Sequence, residues 1–477
     1  MEGAIVLYPC PGSGHLVSMV ELGKLILSNH PSFSISVIIP TAPFEAAATQ
    51  DYIAAISATI PSITFYYLPP VALPQNAFFS AKDFPALVYQ LCQLNNPNLH
   101  ETLLAISNRS KIKAFVVDIF CNYSSQVSSN LNIPTYFYFT SGANCLSNFI
   151  YFPTIHRSST KSLKDLEDMK INVPGSPSIR AKDMPEPMLD REKYVYQCFV
   201  DTALNMTKSS GIIVNSFELL EERACRALAN GECAPGDSMP PVYFIGPVVS
   251  EKEQGGEQIH ECLRWLDSQP SQSVLFLCFG SMGVFYTEQL KEIALGLERS
   301  GVRFLWVVRN PPPSDETVRK LTETDPSIES FLPEGFSERT KDRGRLVKSW
   351  APQKAILSHD SVGGFVTHCG WNSILEAVCA GVPMLAWPQY AEQKMNKIFL
   401  VEEMKIALPV DASEEELVSA IELEKRVSEL TESEEGKAVR ERVKAMKDGA
   451  AVALKEGGSS RIALAKLAES FGGIHLK

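Results

Sequence analysis

The chain has 477 residues, which is too long for a single hydrophobic core and predicts two domains. Hydrophobic residues make up 45% and charged residues 21% of it, the profile of an ordinary soluble globular protein. The net charge of −11 argues against a nucleic acid or an anionic membrane as partner, because binding many phosphates needs a basic surface.

The N-terminus and the cysteines indicate where the protein works. Pro9 and Pro11 end the first apolar run early and no basic segment precedes it, so a buried first strand is predicted and not a signal peptide. The 11 cysteines are scattered without a CxxC pair, which favours a reducing compartment. No apolar stretch reaches the ~20 residues that cross a bilayer. We therefore expect a cytoplasmic protein without a membrane span.

Strand-like and helix-like stretches alternate through the first half. Residues 4–8 predict the first strand, which is followed by a Gly/Ser turn and by a helix from about Val17 to Ser28. Further strands are predicted at 33–39, 63–68, 114–117 and 135–139. This alternation indicates a parallel sheet with helices on both faces.

The same alternation restarts in the second half. Strands are predicted at 273–279, 303–308, around 346, 364–367 and 383–386. The fold class is therefore α/β, with two Rossmann-like doubly wound domains. A polar, Gly-containing linker is predicted within 246–258 and a polar surface loop at 311–333. We expect an N-terminal domain at 1–250, a C-terminal domain at 251–455, and a C-terminal helix at 456–477 that packs back on the first domain.

The segment from Trp350 to Gln393 concentrates groups suited to a nucleotide. The strand predicted at 364–367 ends where His368 begins, and a helix follows from about Asn372 to Ala380. We expect Asn372 or Ser373 to cap that helix, since such residues are common N-caps, and Gly370 to allow a tight turn. The N-terminus of such a helix binds anions, so this turn is a candidate phosphate site. A capped buried helix with a core histidine is the alternative.

Three further positions extend this candidate site. Ser281 lies in a Gly-Ser turn directly after a predicted strand, as phosphate-binding turns do, although such turns are common. Trp350 begins a WAPQ turn after a short strand, which presents an indole face, and a core tryptophan is the alternative. Glu376, one helical turn from Asn372, is within reach of a ribose diol, and a solvated helix carboxylate is the alternative.

A histidine and an aspartate follow two strands of the first half. His15 comes after the turn Pro11–Gly14, and Asp118 ends the strand predicted at 114–117. Because parallel strands share one carboxyl edge, a contact between the two side chains is geometrically reasonable. A structural turn histidine is the alternative.

The Trp350–Gln393 segment resembles, over its full length, the signature box of plant family 1 glycosyltransferases, which use UDP-sugars in secondary metabolism. The two-halved plan is similar to the GT-B fold, in which two Rossmann-like domains face a central cleft. The resemblance implies an inverting UDP-glycosyltransferase with UDP-glucose and a small phenolic acceptor as substrates. No metal ion or other cofactor is expected, and we expect a monomer.

The resemblance also implies roles within the donor site. Trp350 stacks on uracil, Gln353 lies along the uridine, and Glu376 holds the ribose hydroxyls. The terminal Gln393 goes with UDP-glucose in this family, and retention of Trp371 favours a neutral hexose. The other donor-site residues are the diphosphate contacts His368, Asn372, Ser373 and Ser281, the hexose contacts Trp371, Glu392, Gln393 and Thr140, and the adjacent Ala351 and Gly370.

By the same resemblance, His15 is the general base and Asp118 its partner. A phenol with a pKa near 10 is a poor nucleophile at neutral pH, so a neutral imidazole has to take its proton during attack. Asp118 would fix the imidazole tautomer and stabilise the imidazolium. Direct displacement converts an α-linked donor into a β-glycoside.

The acceptor side is less defined. Phe120, close after Asp118, is a candidate contact, while Phe139, Phe199 and Tyr390 are weaker candidates that are alternatively plain core. The runs DIFC at 118–121 and YAEQKMN at 390–396 resemble the branch that glucosylates flavonoids, chalcones and related phenols, including dihydrochalcones. The alternatives are the same chemistry on a terpenoid or hormone, or C-glucosylation of an activated phenol ring.

Three other classes fit less well. A nicotinamide dehydrogenase would need a third glycine where Val17 stands and an acidic residue after the second strand. A serine hydrolase would need a complete GxSxG elbow around Ser281. A non-catalytic nucleotide-sugar binding protein would be expected to lose His15 or Asp118, and both are present.

Overall fold

The computed structural model describes residues 3–42, 47–73, 84–250, 260–312, 327–413 and 416–472. The chain divides into two compact units, one formed by Met1–Glu251 with Ala450–Lys477 and the other by Lys252–Gly449. The predicted linker and the predicted surface loop lie largely outside the described residues.

The first unit is built on a seven-stranded parallel sheet with the order β3-β2-β1-β4-β5-β8-β9. Every residue of its central strand β1 is buried, as expected for a strand covered by helices on both faces. A two-residue antiparallel pair, β6 with β7, stands apart. The strands are β1 (Gly3–Tyr8), β2 (Phe33–Ile39), β3 (Ile63–Tyr67), β4 (Ile112–Asp118), β5 (Thr135–Phe139), β6 (Lys170–Ile171), β7 (Ile179–Arg180), β8 (Gly211–Val214) and β9 (Val242–Phe244).

The second unit repeats the plan with six parallel strands in the order β12-β11-β10-β13-β14-β15. The strands are β10 (Val274–Cys278), β11 (Arg303–Val308), β12 (Gly344–Lys348), β13 (Val362–Thr367), β14 (Met384–Ala386) and β15 (Ala407–Pro409). The prediction of an α/β fold with two parallel sheets is confirmed.

Helices connect the strands in both units. In chain order they are α1 (Ser13–Asn29), α2 (Ala47–Thr59), α3 (Phe84–Leu94), α4 (Asn96–Ser107), α5 (Ser125–Asn130), α6 (Ala143–Ser158), α7 (Tyr194–Met206), α8 (Glu222–Ala229), α9 (Glu261–Asp267), α10 (Thr287–Ser300), α11 (Phe336–Thr340), α12 (Gln353–Leu357), α13 (Trp371–Ala380), α14 (Gln393–Ile398), α15 (Ala420–Glu432), α16 (Glu434–Leu454) and α17 (Ser459–Phe471). Short 3-10 turns include Ile119–Ser124 directly after β4. Among the described residues no helix is both long and apolar enough to span a bilayer.

The last helix, α17, completes the core of the first unit. Its apolar residues Leu464, Leu467 and Phe471 are buried with side chains of β1, β2 and α1. The Phe471 ring stands edge-on to Tyr136 at 5.1 Å, and the Tyr136 hydroxyl donates to Ser470 Oγ at 3.0 Å. The C-terminal segment therefore belongs structurally to the N-terminal sheet.

Two sequence expectations need correction. Helix α1 begins at Ser13, four residues before the predicted Val17, so His15 lies in its first turn and not in the preceding loop. The backbone of Gly12, at φ 134°, makes the turn into that helix, and its carbonyl already accepts from the Leu16 N–H. Strands β8, β9 and β15 were not predicted as sheet members, because runs of three or four residues are too short for a pattern.

Candidate active site

His15 and Asp118 meet at the carboxyl edge of the first sheet. Strands β1 and β4 are neighbours, with Tyr8 opposite Val117, so the residues that follow them are close together. His15 Nδ1 lies 2.7 Å from Asp118 Oδ2. The Asp118 side chain is fully buried, whereas that of His15 is 31% exposed. The histidine is thus accessible and its partner is not.

The aspartate is fixed from its other side as well. The Phe120 N–H donates to Asp118 Oδ1 at 3.0 Å, at the start of the 3-10 turn. Because both carboxylate oxygens accept, Nδ1 of His15 carries a proton and donates it, and in the neutral imidazole this leaves Nε2 unprotonated. That tautomer is the one a general base needs.

An aromatic cluster adjoins the histidine. The Phe120 ring lies edge-on to His15 at 5.7 Å and contacts Tyr89 at 5.2 Å and Phe199 at 6.2 Å. The ring of Phe149 contacts both Phe199 and Phe139. Phe139 and Phe199 are buried, so their contacts are those of core residues, whereas Phe120 is half-buried.

Tyr390, the fourth acceptor candidate, lies in the second unit. Its ring is 6.2 Å from that of His368, and its backbone N–H donates to Gln393 Oε1 at 2.9 Å. Burial raises the pKa of the Tyr390 phenol. Within its own unit, Tyr390 therefore contacts residues of the candidate donor segment.

Thr140 follows β5 at the same edge as Asp118 and is half-buried. The turn it belongs to leads into α6, whose first N–H groups, from Ala143 and Asn144, donate to the buried carboxylate of Glu221 at 2.7 and 2.8 Å. Ser216 Oγ donates to the same carboxylate. Burial raises the pKa of Glu221. The sequence does not reveal the burial of Glu221, because its acidic run is typical of a solvated surface.

In the second unit the candidate donor residues follow the carboxyl ends of adjacent strands. Cys278 of β10 is opposite Thr367 of β13, so the turn at Ser281 and the turn at His368 are neighbours. Ser281 is exposed, and its carbonyl accepts from Arg309 Nη1 at 2.5 Å. The backbone turns sharply at Cys369, at φ 65°, which is unusual for a residue with a side chain.

Two glycines make room for the imidazole of His368. A Cβ on Gly370 would lie 2.4 Å from His368 Nε2, and one on Gly280 would lie 2.6 Å from it. The expected reason for Gly370, a tight turn, is therefore wrong, since its φ is −68° and the tight turn is at Cys369. Close approach of the imidazole is what excludes a side chain.

The N-terminus of α13 is capped by a glycine. Gly370 is the N-cap and makes no side-chain hydrogen bond, so the predicted caps, Asn372 and Ser373, are wrong. Both lie within the first turn, Asn372 exposed and Ser373 buried. Because glycine brings no capping side chain of its own, the helix dipole and the first-turn N–H groups form the kind of helix N-terminus that binds anions.

Trp350 and Gln353 follow the end of β12. The Trp350 side chain is 45% exposed, and its ring stands edge-on to His260 at 5.9 Å. Ala351 is buried beneath the same turn. Gln353 Nε2 donates to Glu376 Oε2 at 2.6 Å and to Ser373 Oγ at 2.9 Å. Gln353, the predicted uridine contact, is thus hydrogen-bonded both to Glu376, the predicted ribose contact, and to Ser373 in the first turn of α13.

Gln393 stabilises the C-terminal end of the Trp350–Gln393 segment. It is buried, and its Oε1 accepts from the backbone N–H groups of Gln389 and Tyr390, each at 2.9 Å. Glu392 precedes it at the N-terminus of α14 and is half-buried. Trp371 is buried at the start of α13. The sequence does not reveal that Gln393 stabilises the turn at 389–390, because this role depends on hydrogen bonds to backbone groups.

Comparison with known proteins gives a consistent result. The family model described as UDP-glucoronosyl and UDP-glucosyl transferase matches residues 226–437. An anthocyanidin 5,3-O-glucosyltransferase from a Rosa hybrid cultivar is 51% identical over 478 residues, with 98% of each chain covered. The chain belongs to the plant family 1 UDP-glycosyltransferases. Isoflavone 7-O-glucosyltransferase 1 from Glycine max is 49% identical to this glycosyltransferase, with 98% of this chain and 99% of the relative covered.

Solved structures agree with this assignment. UGT2 of Phytolacca americana, complexed with UDP-2fluoro-glucose and pterostilbene, matches with a TM-score of 0.87 and 36% identity. The match covers 98% of this glycosyltransferase and 99% of that chain. The glycosyltransferase therefore has the GT-B fold, and the family resemblance of its Trp350–Gln393 segment is confirmed.

His368 of the glycosyltransferase predicts a specific acid sensitivity of the second unit. Burial lowers its pKa to about 4 from an ordinary 6.5, and Nδ1 has no hydrogen-bond partner among the described residues. Between these two values the unfolded chain binds a proton and the folded chain does not, so stability falls as pH falls from 6.5 to 4. The difference of about 2.5 units corresponds to roughly 3 kcal/mol at most.

All five tryptophans lie in the second unit, so their fluorescence reports its unfolding selectively. We expect the denaturation midpoint of the second unit to fall between pH 6.5 and 4, and to fall less steeply in His368→Gln. Comparing slopes with pH, and not absolute midpoints, removes any constant effect of the substitution. Equal slopes in the two proteins would show that His368 is not the titrating group.

Proposed function

We propose that the enzyme transfers glucose from UDP-glucose to a hydroxyl of a phenolic plant metabolite and forms a β-O-glucoside. The observation that carries the proposal is the 2.7 Å contact between buried Asp118 and half-exposed His15, beside the ring of Phe120. Phenolic acceptors are favoured because the named relatives act on anthocyanidins and isoflavones. The half-buried ring of Phe120, which contacts Tyr89 and Phe199, would pack against a planar acceptor ring.

In the proposed step, Nε2 of His15 takes the proton of the phenol as its oxygen attacks the anomeric carbon. The imidazolium that forms is stabilised by Asp118, whose position is held by the Phe120 N–H. The bond between the anomeric carbon and the UDP oxygen breaks at the same time. UDP leaves with the electron pair, and the configuration at the anomeric carbon inverts.

We propose that UDP-glucose is held by the segments at the carboxyl edge of the second sheet. The N-terminus of α13 and the side chains of His368, Ser373 and Asn372 would receive the diphosphate. The exposed indole of Trp350 would take the uracil, and the Gln353–Glu376 pair the ribose. The diphosphate would also contact Ser281. The hexose would contact Trp371, Glu392, Gln393 and Thr140.

These anion-binding groups are provided by the protein itself, and the sequence contains no DxD motif for Mg²⁺. We therefore propose that transfer needs no metal ion.

Replacing Trp350 by Ala is expected to raise KM for UDP-glucose by roughly tenfold to a hundredfold, since stacking on an aromatic ring contributes ~1–3 kcal/mol per base. The kcat should change much less, because the indole does not touch the reacting atoms. Trp350→Phe, which keeps a stacking face, serves as the matched control and should lie close to the wild type. Steady-state kinetics with varied UDP-glucose measure both. An unchanged KM in Trp350→Ala would remove the uracil role.

The proposed function is tested by mass spectrometry of reactions that contain the purified protein and a panel of flavonoids, chalcones, dihydrochalcones, terpenoids and hormones. UDP-glucose, UDP-galactose and UDP-glucuronate are offered in parallel. We expect a hexose adduct on a phenolic acceptor with UDP-glucose, and acid hydrolysis should release the sugar, as for an O-glycoside. An adduct only on terpenoids or hormones, or one stable to acid, would contradict the proposal.

A further inference from the structure

Cys10 places a thiol beside the two residues of the proposed base. It lies two residues after the end of β1 and is buried, with 3% of its surface exposed. Cys10 Sγ, one ring nitrogen of His15 and one carboxylate oxygen of Asp118 all lie within 4.8 Å of one another. Cys10 follows the end of β1, Asp118 ends the neighbouring strand β4, and His15 lies in the first turn of α1, so three adjoining elements fix the three positions.

A thiolate, an imidazole and a carboxylate form a ligand set that Zn²⁺ binds in proteins. The expected bond lengths are about 2.3 Å to sulfur and about 2.0–2.2 Å to nitrogen and oxygen, so ligand atoms of one tetrahedral site lie roughly 3.3–3.8 Å apart. The three ligand atoms lie within 4.8 Å of one another, so side-chain rotations would have to bring them closer to reach this spacing. The half-exposed ring of His15 gives an ion a route from solvent to the two buried ligands.

The charges also fit a divalent cation. A deprotonated Cys10 and an ionised Asp118 together carry two negative charges, which a dication neutralises in a buried place. Without an ion, burial and the nearby Asp118 raise the pKa of the Cys10 thiol well above its ordinary value, so the sulfur is protonated. A dication would replace the thiol proton, and the Nδ1 proton of His15 would move to Nε2, because histidine binds a metal ion as the neutral imidazole.

We propose that Cys10, His15 and Asp118 form an inhibitory binding site for a thiophilic divalent cation such as Zn²⁺. The bound cation occupies Nδ1, the imidazole nitrogen that faces Asp118, so the ring carries its proton on Nε2 and cannot accept the proton of the phenol. The binding part of this proposal stands on the geometry alone. The inhibitory part rests on the proposed function of His15.

The binding test uses the full chain after treatment with a chelator, titrated with Co²⁺ as a spectroscopic substitute for Zn²⁺. We expect a thiolate-to-cobalt charge-transfer absorption that is lost in Cys10→Ala and strongly weakened in His15→Ala. Cys262→Ala is the matched control, because Cys262 Sγ lies 3.0 Å from His260 Nδ1 and forms another Cys–His pair in the second unit. The Cys10-dependent absorption should persist in that variant.

The inhibition test measures glucose transfer against Zn²⁺ concentration, each variant being compared with its own metal-free rate. In Cys10→Ala the Zn²⁺ concentration that halves the rate should rise by roughly tenfold or more, since the loss of even a supporting residue weakens metal sites by about 10–100-fold. In Cys262→Ala it should not change, and added chelator should restore the rate of the wild type.

The outcomes separate the two proposals. No Cys10-dependent cobalt absorption, or equal Zn²⁺ sensitivity of Cys10→Ala and the wild type, would overturn the metal site. A Cys10-dependent absorption with undiminished transfer would support the site and overturn the role of His15 as base.

Discussion

Replacing His15 by Gln is expected to lower kcat for transfer to a neutral phenol by about 10²–10⁴-fold, the usual contribution of a positioned general base. Glutamine is close in size and can still donate to Asp118, but it cannot accept and hold a proton. The binding of UDP should remain, because the candidate donor residues lie largely on the other sheet. Steady-state kinetics and calorimetric titration with UDP measure the two effects separately.

The acceptor itself provides the control for this prediction. A nitrophenol is largely ionised near neutral pH and needs little help from a base, so the loss caused by His15→Gln should shrink with such an acceptor. A merely structural defect would reduce transfer to all acceptors equally. His100→Gln, which changes an exposed histidine paired with Glu101, should be neutral. Substantial transfer to an ordinary phenol by His15→Gln would remove His15 as the base.

Replacing Asp118 by Asn is expected to lower kcat by a similar factor, about 10²–10⁴-fold, for a different reason. The oxygen of the introduced amide would still accept from the Phe120 N–H, which turns the amide nitrogen toward His15. An amide N–H donates, so Nδ1 of His15 would have to accept, and the ring proton would move to Nε2. The imidazole would then present a proton to the phenol where it needs to take one.

Asp118→Ala separates this effect from structural damage. Alanine removes the acceptor for the Phe120 N–H as well, so its folding stability should fall below that of Asp118→Asn. Its histidine, however, is not forced into the wrong tautomer. Nuclear magnetic resonance of the His15 ring nitrogens in both variants would show which nitrogen is protonated. An Asp118→Asn enzyme with Nδ1 protonated and nearly full activity would contradict the account.

The contact between His15 and Asp118 could be anticipated from the sequence. Apolar runs at 4–8 and 114–117 predicted two parallel strands, and the residues after such strands share one edge of the sheet. Tyr89 and Phe149 were not foreseen, since helix positions seen in sequence do not reveal which ring they meet. Cys10 was not foreseen either, because its significance depends on the short distance to Asp118, a residue 108 positions away by numbering.

The donor segment shows where sequence patterns stop being informative. Its order of strand, turn and helix was correct, because apolar runs and glycines define it. The capping was wrong, since Asn372 and Ser373 are common caps and nothing in the sequence distinguishes them from Gly370. The reason for Gly370 was also wrong, because only the placement of the His368 ring shows that a Cβ would collide with it.

The central claim is direct displacement at the anomeric carbon by a phenol that His15 deprotonates. The anomeric configuration of the product tests it most directly. Proton nuclear magnetic resonance of the glucoside isolated from UDP-α-glucose distinguishes the two configurations by the coupling between H1 and H2. We expect a large diaxial coupling, which identifies a β-glucoside. A small coupling, which identifies an α-glucoside, would mean retention and would contradict single displacement with His15 as base.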